Sequence, residues 1–133
     1  MKKFTETELK SVAPLTLGMV GDAVHTLYAR TKFFYEYPYK NNELHAMTSK
    51  EVCAKSQALM AKKVVPFLTE SELFIFKKGK NAKVNSVPKN AELIEYKLAT
   101  GFETLLGYLY LLGEYDRIEV LFRLINEDKD SEN

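Results

Sequence analysis

The chain has 133 residues, 46% of them hydrophobic and 28% charged, with a formal net charge of +1; this suits one globular domain with its own core. The near-neutral balance says nothing for or against a nucleic-acid partner, so only local clustering of charge can argue for one. A single cysteine, Cys53, excludes an internal disulfide and a cysteine-rich zinc cluster and fits a reducing cytoplasm. No apolar run approaches a membrane span, and the start Met1-Lys2-Lys3-Phe4 lacks the apolar core of a signal peptide.

Residues 1–13 are polar and predict a short or frayed helix, with Pro14 suited to the first turn of the next. From Leu15 to Phe34 the pattern is helical. Leu17, Val20, Val24, Leu27 and Tyr28 recur at spacings of three and four, the stripe of a packed helix. Tyr35 to Tyr39 breaks the period and predicts a loop. Asn41 or Asn42 can cap a short helix carrying Leu44 and Met47. Thr48-Ser49-Lys50-Glu51 has capping-box spacing and predicts a helix start, running to Val65 with Val52, Leu59 and Met60 inward.

Thr69-Glu70-Ser71-Glu72 repeats that signal before Leu73, Phe74 and Phe76. Lys77 to Asn90 predicts a long irregular stretch, a length often reserved for function. Asn90 can cap the last major helix, which should run to Leu112 and stop at Gly113. A final amphipathic helix is expected from Glu114 to Asn126, inward at Ile118, Leu121, Phe122 and Ile125. The expected fold is all-α: one helical domain over residues 1–126 and a polar tail, 127–133, expected to be disordered.

Two acids stand out against this background. Asp22 sits in the apolar run Leu15 to Val24 with Gly18 one turn before it, and Glu103 sits in the apolar run Ala99 to Leu111 with Gly107 one turn after it. An unpaired carboxylate is costly to bury, so each needs a partner or a cation. Small neighbours (Gly18, Gly21, Ala99, Thr100 and Gly107) predict two helices crossing closely around a shared ionic site. Such a pair suits magnesium, which takes oxygen ligands and keeps much of its water. Equally, Asp22 can cap or salt-bridge and Glu103 can reach solvent. Residue type and spacing leave both readings open.

Gly21-Asp22-Ala23-Val24, followed far downstream by Phe102-Glu103-Thr104-Leu105-Leu106-Gly107-Tyr108-Leu109-Tyr110-Leu111, resembles the two active-site helices of the ribonuclease III endonuclease-domain family. The resemblance covers roughly Leu15 to Leu112. It implies that Asp22 and Glu103 are catalytic metal-binding acids, with Mg2+ as cofactor and Mn2+ able to substitute. It further implies a homodimer that hydrolyses double-stranded RNA to 5′-phosphate and 3′-hydroxyl ends, each subunit cutting one strand. Two positions depart from the pattern: Gly18 and Thr100 stand where the family usually carries further acids. The alternative is therefore a catalytically idle helical module that binds structured RNA or ribosomal components.

The length leaves no room for the double-stranded-RNA-binding domain of full-length ribonuclease III. A lone catalytic domain with a basic loop is similar to the Mini-ribonuclease III subfamily, which implies maturation of precursor 23S ribosomal RNA in the cytoplasm; neither a membrane nor DNA is expected as partner. Lys77, Lys78, Lys80, Lys83 and Lys89 form a local positive patch without an intervening acid. With Asn81, Asn85 and Asn90 they are the candidate RNA contacts, since duplex RNA is read by shape, phosphate and 2′-hydroxyl; the plainer reading is a solvated lysine loop. At Met19 the resembled family carries an aromatic that enters the partner subunit, so Met19 is a candidate dimer contact, or else an ordinary core methionine. His25 and His45 lack zinc-site spacing and are assigned structural or surface roles. Cys53 is expected in the core, and Tyr108 and Tyr110 as packed rings with a tethered hydroxyl.

Overall fold

The computed structural model describes residues 1–38, 40–83 and 92–131, with side chains as far as Glu127. Among the described residues there are seven α-helices and no strand: α1 (Glu6–Lys10), α2 (Pro14–Glu36), α3 (Asn41–Glu51), α4 (Ala54–Val64), α5 (Glu70–Lys80), α6 (Leu93–Leu112) and α7 (Tyr115–Ser131), with a 3-10 turn, Val65–Phe67, after α4. Helix α6 is the axis, and α2, α4, α5 and α7 all pack on it. Phe102, Leu105, Leu106 and Leu109 of α6 meet Leu17 and Val24 of α2, Val64 of α4, Ile75 and Phe76 of α5, and Ile118, Leu121 and Ile125 of α7 in one buried cluster.

Local chemistry sets several of these boundaries. Pro14 occupies the first turn of α2, where its missing N–H costs nothing. Thr69 and Glu72 close a capping box at the start of α5, as the spacing predicts, and Thr5 and Glu8 form another on α1. Helix α6 stops at Gly113, whose φ of +80° an L side chain rarely adopts; the N–H groups of Gly113 and Glu114 return to the carbonyls of Tyr110 and Leu109 at 2.9 Å each.

The α2/α6 crossing is made by glycine. A Cβ added to Gly21 would lie 1.7 Å from the carbonyl oxygen of Glu103, and one added to Gly107 would lie 1.9 Å from that of Leu17. Neither position has space for a side chain, so the two backbones touch where Asp22 and Glu103 leave them. Helix α5 is fixed to α7 by a different device. Buried Glu72 receives hydrogen bonds from Arg117 Nε and Nη2, both at 2.8 Å, and Arg117 Nη2 also donates to the Phe67 carbonyl at 2.9 Å.

Several sequence expectations are corrected. Thr48 does not start a helix; it lies inside α3 and donates its hydroxyl to the Leu44 carbonyl, while Glu51 is buried against His25 and Lys32. Helix α4 begins instead at Ala54 with Cys53 as its exposed N-cap residue, not a core thiol. Lys40, not an asparagine, precedes α3. Helix α2 runs on through Tyr35 and Glu36. Leu27 (62% exposed) and Leu59 (56% exposed) face outward. Lys77 to Lys80 are the last turn of α5 rather than loop, a position where basic residues complement the helix C-terminus. Helix α6 is preceded by Glu92, and Asn90 lies outside the described residues. Helix α7 extends to Ser131, past the expected end at Asn126.

Candidate active site

Asp22 and Glu103, eighty-one residues apart in sequence, share the lining of one open pocket of about 380 Å³ together with Gly18, Met19, Gln57 and Thr100. Helix α2 supplies Asp22 from the turn after Gly18, and α6 supplies Glu103 from the turn after Ala99 and Thr100. The glycine crossing fixes their separation, because Gly21 abuts the backbone of Glu103 itself.

The two acids are not equally buried. Asp22 is solvent-exposed at the pocket, contrary to the buried position its apolar neighbours predict, whereas Glu103 is half-buried. Burial pushes the Glu103 carboxyl up, and hydrogen bonding and charge repulsion from Asp22 push it further, to about 8; a hydrogen bond from Gln57 opposes the rise. The Glu103 carboxyl thus holds its proton well above the usual carboxylate range. No described ion pair involves either acid. A carboxylate pair with one countercharge too few is a donor set that fits a divalent cation. Among the described residues no group of three or more His, Cys, Asp or Glu side chains is placed to hold a metal, so the fit rests on two carboxylates.

Gly18 and Thr100 complete the walls. A Cβ on Gly18 would meet only Thr104, its Oγ1 at 3.5 Å, so this wall has space that Gly21 lacks. Thr100 spends its hydroxyl on the Tyr96 carbonyl, 2.9 Å away. Thr104 lies between two glycines: its hydroxyl donates to the Thr100 carbonyl at 2.7 Å, and Gly79 of α5 packs against the same side chain. The basic last turn of α5 is thus anchored one side chain from the pocket wall.

Of the candidate RNA contacts, Lys77, Asn81 and Lys83 are exposed and Lys80 half-buried. Lys78 is committed elsewhere, its ammonium donating to the Lys10 carbonyl at the end of α1. Asn85, Lys89 and Asn90 lie outside the described residues. Met19 is 70% exposed, so it is not a core methionine. Tyr108 is buried with its hydroxyl on Glu6, and Tyr110 approaches Met1 Sδ at 3.9 Å. His25 is wholly buried and His45 exposed. Sequence reasoning passes over Gln57, which no motif marks, and reads Glu51 only as part of a capping box; for Gln57, a polar residue on the inward face of α4 is the available signal.

Comparison with known proteins places the chain in a family. The model of the ribonuclease III domain matches residues 15–114, which contain both acids and both crossing glycines. The chain belongs to the ribonuclease III family. It is 44% identical over 120 residues to a Mini-ribonuclease 3 of a Thermoanaerobacter species, covering 90% of this chain and 84% of that protein. It is 40% identical over 129 residues to the Mini-ribonuclease 3 of Clostridium tetani, covering 93% and 83%. A crystal structure of a Fusobacterium nucleatum protein superposes with a TM-score of 0.78 at 30% identity, covering 86% of this chain and 93% of that one. Membership of this endoribonuclease family agrees with the all-helical fold.

Proposed function

We propose that the protein is a magnesium-dependent endoribonuclease specific for double-stranded RNA, with Asp22 and Glu103 as the residues that bind the metal and carry catalysis. The observation behind this reading is the shared pocket: two acids from helices locked in backbone contact, one of them pushed up to about 8 by burial and by the other acid. When bound, the cation supplies an acidified water and charge compensation at the phosphate under attack. The chain's own part is positional. Asp22 and Glu103 present oxygen ligands from opposed helices, and Gly18 and Thr100 add no acid, leaving coordination positions to water and RNA phosphate. Water oxygen joins phosphorus, the bond to the 3′ oxygen breaks, and that oxygen takes a proton, giving 5′-phosphate and 3′-hydroxyl ends.

The catalytic unit we infer spans residues 1–126 and works as a homodimer in the bacterial cytoplasm. Support for the dimer comes from α2, where Leu15, Met19, Ala23 and Leu27 follow at four-residue spacing and all are exposed beside Asp22. Met19 is the contact we assign to the partner subunit. Lys77, Lys80, Asn81 and Lys83, with Lys89, Asn85 and Asn90 beyond them, would attract the phosphates of the duplex, and Lys78 would add charge while tied to α1. The paired ends of precursor 23S ribosomal RNA are the substrate we infer from the Mini-ribonuclease resemblance.

The missing acids at Gly18 and Thr100 favour one competing reading, an idle module that binds structured RNA without cutting it. Incubating the chain and Glu103→Gln with a long duplex RNA and Mg2+ separates the two. Cleavage by the parent alone supports the enzyme. Duplex binding with equal inertness over a broad Mg2+ and Mn2+ range supports the module instead.

A further inference from the structure

Behind Glu103 runs a line of buried polar side chains that the proposed chemistry does not use. Gln57 of α4 is 2% exposed and lines the pocket with Glu103, whose upward shift it opposes. Its Nε2 lies 3.0 Å from Nδ1 of His25, a residue of α2 with no exposed surface. Nε2 of His25 faces Oε2 of Glu51 on α3 at 3.5 Å and has no hydrogen-bond partner of its own. Glu51 is in turn paired with Lys32. Phe102 stands edge-on to the imidazole at 5.5 Å and Phe122 lies tilted at 5.6 Å, so the ring is walled by aromatics.

Donor and acceptor capacities give this row a direction. Burial pushes the Glu51 carboxyl up, but the facing imidazole of His25 and the ammonium of Lys32 outweigh it and hold the group below its ordinary value. As a carboxylate it offers acceptors only. A neutral imidazole facing it turns Nε2–H toward the carboxylate and leaves Nδ1 as an acceptor. An acceptor at Nδ1 requires the amide nitrogen of Gln57 there, not its oxygen. That NH2 group has a second proton, and Glu103 is the acceptor within its reach.

We propose that Gln57 is a positioning residue of the active site, its amide fixed by Glu51 through His25 so that one N–H holds the Glu103 carboxylate in line with Asp22 for a divalent cation. The inference rests on the reading of Asp22 and Glu103 as a cation-binding pair. A neutral donor suits this role because it orients the carboxylate without cancelling the charge the cation needs, whereas Lys or Arg would cancel it. The row draws on α2, α3, α4 and α6, so the orientation of Glu103 is set by the packing of four helices.

The test is a Mn2+ titration of the RNA-free protein, read by electron paramagnetic resonance, for the parent, Glu103→Gln and Gln57→Met. Gln57→Met keeps the length and removes the donor. It is expected to bind Mn2+ about tenfold or more weakly than the parent while melting as a folded protein. A folded Gln57→Met with affinity within about twofold of the parent, set beside a Glu103→Gln that has lost Mn2+, overturns the positioning role and leaves the cation pair standing. A parent that takes no Mn2+, or a Glu103→Gln that binds as the parent does, overturns the cation pair itself. The unmodified chain supplies a second readout that needs no variant to fold: 15N shifts of His25 should show Nε2 protonated and Nδ1 bare. The opposite tautomer contradicts the proposal.

Discussion

Two glutamates on packed neighbouring helices receive opposite treatment. Glu72 of α5 is buried, and burial alone would raise its carboxyl; the two Arg117 hydrogen bonds and the Thr69 N–H outweigh that and hold it below the ordinary value. Glu103 of α6 is raised by burial and then by Asp22, with Gln57 as its opposing hydrogen bond. The fold is able to neutralise a sunken acid with a guanidinium, and at Glu103 it sets a second acid there instead. The first arrangement holds helices together. The second keeps a site short of positive charge, the condition a cation would relieve.

Substitutions that exchange the two roles should break this contrast. Glu103→Gln is expected to cut duplex cleavage by about a thousandfold or more, the loss of several kcal/mol of charge stabilisation, while the metal-free protein melts no lower than the parent. A gel assay beside a melting curve reads both. Arg117→Ala should do the reverse, costing about 3 kcal/mol in urea unfolding, because it strands Glu72 without its partner, with cleavage per folded molecule retained.

The crossing itself gives a smaller and sharper contrast. Gly21→Ala places a methyl 1.7 Å from the Glu103 carbonyl oxygen and should cost about 2–3 kcal/mol as the helices are forced apart. Gly18→Ala, one turn earlier in the same helix, meets nothing nearer than 3.5 Å and should stabilise by about 0.5–1 kcal/mol, the helix preference of alanine over glycine. Equal effects at the two positions would contradict the packing described.

Acid and base should separate the glutamates as well. Folded Glu103 keeps its proton to about 8, against 4.5 for the ordinary carboxyl. Between those values the folded state binds more protons than the unfolded one. Its contribution to the stability of the metal-free protein therefore falls as pH rises through that window and levels off above it. Glu72 has its folded value lowered from 4.5, so its contribution is full above 4.5 and fades as pH drops through the lower folded value. Melting temperature against pH should lose the first slope in Glu103→Gln and the second in Arg117→Ala.

Features legible in the sequence are those written in local chemistry or forced by sterics. Pro14, the Thr69/Glu72 box and Gly113 mark helix ends because each satisfies backbone groups within a few residues. Asp22 and Glu103 can be paired from sequence through the resemblance of the stretches around them to the two active-site helices of the ribonuclease III family, since residue type and spacing alone leave the pairing open. Expectations fail where a distant partner claims a locally plausible residue. Thr48 and Glu51 have capping-box spacing, but Glu51 is drawn to His25 and Lys32 from another helix. Gly79 makes Lys77 to Lys80 look like loop, yet it is a glycine because Thr104 of α6 fills its place. Leu27 fits a core stripe by period and is exposed, on the face we assign to the dimer. Gln57 is invisible in sequence because its role depends on a histidine thirty-two residues away.

The most direct test of the central claim is a crystal of the metal-free protein soaked in Mn2+, with anomalous density located to individual side chains. The predicted result is one strong peak between the carboxylates of Asp22 and Glu103 in the pocket walled by Gly18 and Thr100, lost in Glu103→Gln. A soaked crystal with that pocket empty, or with its Mn2+ held by other residues while the enzyme cuts RNA in the same metal, would contradict it.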